Sequence, residues 1–171
     1  MALHNIVAAS ELTLTFAGAA GADAAPLTVK QTPQSLQELL ATPRDLTVST
    51  SPDLIRLLSG LQNEIRDDYP SLPFDFTIRL MGKDLGAEGI TQNQRPSDFA
   101  ISQRPLGEIL TEIMVQANPD KNIIGASDPN CKLVWVAADD PENAGAEIIL
   151  ITTRKAAAEK SYNLPAAFVE N

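Results

Sequence analysis

Two apolar, β-branched runs, "KLVWVAAD" (132–139) and "AEIILITTR" (146–154), are joined only by "DPENAG". A link this short cannot carry a chain back across a sheet, so it excludes a parallel crossover and calls for an antiparallel hairpin. The Pro, Asn and Gly inside it are turn formers. Any fold open to this chain must accommodate that pair, which speaks against a doubly wound parallel sheet.

Upstream, one grammar recurs. "LTVKQTPQSLQELL" (27–40) is echoed by "LTVSTSPDLIRLL" (46–58), each a strand, then Thr or Ser, then Pro, then a helix. The hydroxyl is placed to cap free N–H groups, and Pro suits the first helical position. Pro43 keeps the first helix short. In the second, Leu54, Ile55, Leu57, Leu58, Leu61 and Ile65 make one apolar face, with an end expected near Asp67–Tyr69, before Pro70. "RPLGEILTEIMVQANP" (104–119) repeats the pattern, with Leu106, Ile109, Leu110, Ile113, Met114 and Ala117 on one face and Asn118-Pro119 as the stop. "LTLTF" (12–16), "PFDFTIRLMG" (73–82) and "DFAIS" (98–102) read as further strands, "AGAAGADAAP" as a flexible connection, and residues 120–131 as a loop.

From Leu46 onward the order is strand, helix, strand, strand, helix, strand, strand. It predicts an α+β fold of βαββαββ type, with two helices covering one face of a mostly antiparallel or mixed sheet. An N-terminal strand and short helix are appended. The expected organisation is an arm of strand, Ala/Gly linker and short helix (1–45), a core domain (46–155), and a tail (156–171) holding a helical turn and an extended end.

With "LTVSTSPDLIRLLSGL" opening its first half and "FAISQRPLGEILTEIM" its second, this order resembles the small N-terminal domain of secretins and TonB-dependent receptors. "PLGEILTEI" and "EIILITT" match that family's second helix and closing hairpin, and the resemblance covers roughly residues 45–155. It departs in the polar insert 82–97, the 120–131 loop and the appended N-terminal elements. The resemblance implies a non-catalytic module of the periplasm or cell envelope that docks other proteins, and no catalytic residues carry over. Composition itself leaves the compartment open, the cytoplasm included.

The chemistry available is narrow. His4 is the single histidine and lies near the N-terminus, which disfavours Ser-His-Asp and Cys-His catalysis. One histidine and one cysteine do not make a structural zinc site. Cys131 reads as a partly buried small residue, and Trp135 and Phe76 as core packing. A formal charge of −9 argues against nucleic acid, which needs a basic patch. No uncharged apolar run reaches membrane-spanning length. Glu11, with no Lys or Arg before it, argues against reading the Ala-rich N-terminus as a signal peptide.

Three carboxylate clusters remain: Asp67-Asp68, Asp84 with Glu88, and Asp139-Asp140 with Glu142. Two acids across a cleft could hydrolyse a substrate or hold a cation, which makes a histidine-independent hydrolase or small-ligand domain the alternative. Asp84, Glu88, Asn93, Gln94 and Arg95, in "GKDLGAEGITQNQRPSDFAI" (82–101), form the candidate binding loop. Long loops on rigid scaffolds often carry contacts. Its glycines are equally suited to turns, with "EGITQNQ" a short strand and Ile90 dipping into the core. The expected function is a non-enzymatic protein-interaction or assembly module without cofactor or metal. Its partner would be another protein, and self-association through the N-terminal arm is a second route.

Overall fold

The computed structural model describes residues 31–49, 52–140, 142–143 and 145–169; the strands expected at "LTLTF" and Leu27–Lys30 lie outside them. Helix α1 (Leu36–Ala41) leads directly into strand β1 (Pro43–Val48), then α2 (Leu54–Asp68), β2 (Ile78–Leu80) and α3 (Gly82–Ala87). Strand β3 (Phe99–Pro105) runs into α4 (Leu106–Ala117), and β4 (Leu133–Asp139) and β5 (Glu147–Thr153) form the hairpin. Helix α5 (Arg154–Glu159) and a 3₁₀ turn, Ala166–Phe168, follow.

The class is α+β, as the sequence predicts, but the strands divide between two sheets. β1 and β3 pair antiparallel on their own, and β5 sits between β2 and β4. β4–β5 is the expected antiparallel pair, with Trp135 opposite Ile151. β2 joins β5 in parallel, Arg79 opposite Leu150, so this sheet is mixed.

Helix α4 is the centre of the unit that begins at Pro33. Leu106, Ile109, Leu110, Ile113, Met114 and Ala117 are all fully buried. It packs against β4 of one sheet, β1 and β3 of the other, and α1. Fully burying a Leu or Ile side chain is worth roughly 1.5–3 kcal/mol, so this helix contributes more apolar burial than any other described helix. Leu110→Ala would leave a cavity costing about 2–5 kcal/mol.

The three-stranded sheet is covered on both faces. Ile149, Ile151, Leu133 and Trp135 belong to the core shared with the helices. Val136, Ile148 and Leu150 form a second cluster closed by Met81, Tyr162 and Leu164. Burial on both sides explains the nearly continuous apolar runs of β4 and β5.

Local signals are met with shifts. The cap of α2 is Asp53, whose carboxylate accepts from the Arg56 N–H at 2.9 Å. The cap thus follows Pro52 instead of preceding it. Likewise α1 is capped by Ser35, beyond the expected Thr32-Pro33 start. Helix α2 ends at Asp68, as its pattern requires.

The strand expected over 73–82 contracts to Ile78–Leu80 for a visible reason. Side chains of α2 take the backbone groups a neighbouring strand would have taken: Arg66 donates to the Phe76 carbonyl at 2.8 Å, and Gln62 accepts from the Ile78 N–H at 2.7 Å. Phe76 and Trp135 are buried core residues. Residues from Pro33 onward form one compact unit, so α1, with Leu36 and Leu39 in the core, and the tail, with Ala157 and Phe168, share the packing of 46–155.

Candidate functional site

The loop 82–97 is a helix followed by a turn. "EGITQNQ" forms no strand, because α3 uses the preceding residues and ends in a Schellman motif. The Gly89 N–H bonds to the Gly86 carbonyl and the Ile90 N–H to that of Leu85. Gly89 has φ +68°, the left-handed conformation this cap requires. Ile90 and Leu85 are both buried, giving the apolar contact that accompanies such a cap.

That geometry divides the candidate loop residues. Asp84 accepts from Lys160 Nζ on both oxygens and from Thr152 Oγ1 at 2.6 Å. Burial opposes its ionisation, yet the hydrogen bonds from Lys160 and Thr152 and the Lys160 charge outweigh it and hold the carboxyl below its ordinary value. Glu88 pairs with Lys155 at 3.3 Å. These two acids therefore fasten α3 to α5. Gln94 turns to α2, its carbonyl accepting the Leu54 N–H at 2.8 Å. Asn93 and Arg95 are exposed.

The other carboxylate clusters are also engaged. Arg79 binds Asp140 through two nitrogens and Glu142 through one, and Asp68 pairs with Arg44 at 2.6 Å. Among the described residues no group of three or more His, Cys, Asp or Glu side chains is arranged to hold a metal ion.

A different surface combines unpaired backbone with space beside it. In the two-stranded sheet, β3 has no partner on its outer edge among the described residues. A groove of about 370 Å³ runs there, lined by Phe99 to Ser102, Arg104, Glu108 and Glu112. Arg104 and Glu108 pair at 2.6 Å, one helical turn apart in sequence, while Glu112 accepts only from Gln116. The groove thus has polar walls and one unbalanced negative charge.

The edge is interrupted at one end by a bulge. Leu46 faces Ile101 and Arg44 faces Arg104, so Ser102 and Gln103 together oppose Asp45. Gln103 takes φ +52°. Asp45 accepts from Ser102 Oγ at 2.7 Å and from the Gln103 N–H at 2.8 Å, and these bonds, Ser102 first, lower its pKa. Bulges bend a strand and limit pairing beyond them. The straight edge available is Phe99 to Ile101.

No family model, curated protein or solved structure matches this chain.

Sequence reasoning finds β3 as a strand through "DFAIS" but not its open edge or the acids beside it. Glu108 and Glu112 carry a faint signal, since they fall off the apolar stripe of α4. Which strand lacks a neighbour depends on pairing across the whole chain, and no local pattern encodes it.

Proposed function

We propose that this chain is a non-enzymatic docking module of a larger envelope or secreted protein. It binds an extended, basic segment of a partner protein as an added strand on β3. The observation that carries the reading is the edge from Phe99 to Ile101, which no described strand covers, beside a polar groove. Main-chain hydrogen bonds along such an edge supply affinity, and alternate side chains supply specificity. Glu112, together with a chain charge of −9, favours Lys or Arg at the positions facing α4. The envelope assignment rests on the secretin and TonB-receptor resemblance. It is supported by the order strand, helix, strand, strand, helix, hairpin from β1 to β5, with α3 interposed.

The test is selection from a randomised library of extended peptides against the whole chain, with the selected peptide mapped by amide NMR shifts. Enrichment of Lys or Arg at alternate positions, with shifts confined to Phe99–Arg104 and α4, is the expected result. Successive N–H groups of a strand point to opposite edges, so proline at Ala100 and at Ile101 in turn separates two effects. One variant keeps the fold and loses the peptide, while the other breaks pairing with β1. Shifts mapping elsewhere, or undiminished binding by both folded variants, would overturn the reading.

A further inference from the structure

A second cleft, of about 290 Å³, lies at the start of α5 and is independent of the strand edge. Lys132, Thr153, Arg154, Lys155 and Glu88 line it. Three cations against one carboxylate leave a local surplus of two positive charges in a strongly acidic protein.

Arg154 is unusual in what holds it. Its guanidinium donates to the carbonyls of Cys131, Phe168, Ala126 and Asp128, at 3.2, 2.6, 2.8 and 3.3 Å. All four acceptors are neutral. Asp128 bonds through its carbonyl; its carboxylate accepts from the Asn130 and Ile124 N–H groups and acts on Arg154 only as a charge through space. No described carboxylate forms an ion pair with Arg154 or with Lys132. Four bonds leave one of the five guanidinium N–H donors. Thr153 Oγ1 accepts from the Ala156 N–H, which leaves its proton to donate. Lys132 contributes a free ammonium, and Lys155 is shared with Glu88. The polar side chains lining the cleft are thus mostly donors, with Glu88 the one carboxylate, a set suited to an anion rich in acceptor oxygens.

We propose that this cleft binds the doubly negative oxyanion of phosphate, as the free ion or as a phosphate monoester. Lys132 and Lys155 are its charge partners, Arg154 is the fixed positive wall, and Glu88 is the competitor that an arriving anion displaces from Lys155.

The experiment measures thermal shift and calorimetric binding with inorganic phosphate and with glycerol phosphate, against chloride at matched ionic strength. The whole chain is compared with Lys132→Gln/Lys155→Gln and with Glu88→Gln. Both lysines are exposed, so the double variant should keep its fold, which its melting curve checks. Saturable stabilisation by phosphate beyond chloride is expected, with affinity falling at least tenfold in the lysine variant and rising several-fold in Glu88→Gln. Tighter binding of the ester identifies an esterified ligand, and equal binding the free ion. A phosphate response equal to that of chloride, or one unchanged in the lysine variant, would overturn the proposal.

Discussion

Asp84 receives the Lys160 ammonium on both carboxylate oxygens at 2.7 Å, joining α3 to the end of α5 across β5. Its side chain is only 10% exposed, against 38% for Lys160. The folded-state pKa lies below the unfolded value of 3.8, so the folded protein binds fewer protons in this range. The resulting stability is full above that value and lost as pH falls through the lower folded one. Asp84→Asn should cost about 1 kcal/mol at pH 7, allowing for solvent screening. Urea unfolding at pH 7 and pH 3 checks it: the gap between variant and parent should narrow at the lower pH.

Asp45 and Gln103 form a similarly dependent pair at the bulge. Asp45→Ala removes the acceptor that holds the Gln103 backbone in its left-handed conformation, and should lower the melting temperature. Adding Gln103→Gly should recover part of the loss, because a non-glycine residue there costs about 1–2 kcal/mol. A double variant no more stable than Asp45→Ala alone would show that strain at Gln103 is not what Asp45 offsets. The Asp45 contribution should also fade as pH falls through its depressed pKa.

Trp135 donates its indole N–H to Thr111 Oγ1 at 3.0 Å, and Thr111 in turn donates to the Gly107 carbonyl. Thr111→Val preserves shape but leaves the indole N–H without its acceptor, a loss of about 1–3 kcal/mol. In a double-mutant cycle with Trp135→Phe, followed by circular dichroism, the combined cost should fall below the sum of the two. Strict additivity would mean the bond contributes nothing.

Asn118 is fully buried and uses both ends of its amide. It donates to the Asp120 and Asn130 carbonyls and accepts from the Lys132 and Leu133 N–H groups. Asn118→Ala strands these backbone groups and should destabilise by about 2–4 kcal/mol. Hydrogen exchange should locate the loosening at 120–133. Loss spread evenly over the molecule would instead indicate a general packing defect.

Asn118 also marks where reading a sequence stops. As part of Asn-Pro it is a helix terminator, and the helix does end there. Its larger role, tying the end of α4 to the start of β4, depends on partners on the far side of a loop. Every apolar position assigned to the face of α4 is buried, and the hairpin register follows from its short turn, because both are local consequences of periodicity and chain length. By contrast, β2 beside β5 and the split into two sheets result from long-range pairing. The candidate loop was legible as structured, through its glycines. Nothing local could reveal that Asp84 and Glu88 would meet Lys160 and Lys155, or that one edge of β3 would have no described neighbour.

The place of β5 between β2 and β4 has a consequence for biosynthesis. Among the described residues both neighbours pair only with β5, which follows them in the chain. Neither half of that sheet can begin to assemble until translation has reached β5, at Glu147. Until then α4 emerges from the ribosome with only α1, β1 and β3 to pack against, and its face toward β4 stays uncovered. The β1–β3 sheet can therefore form before the three-stranded one, which is the last layer of the fold to close.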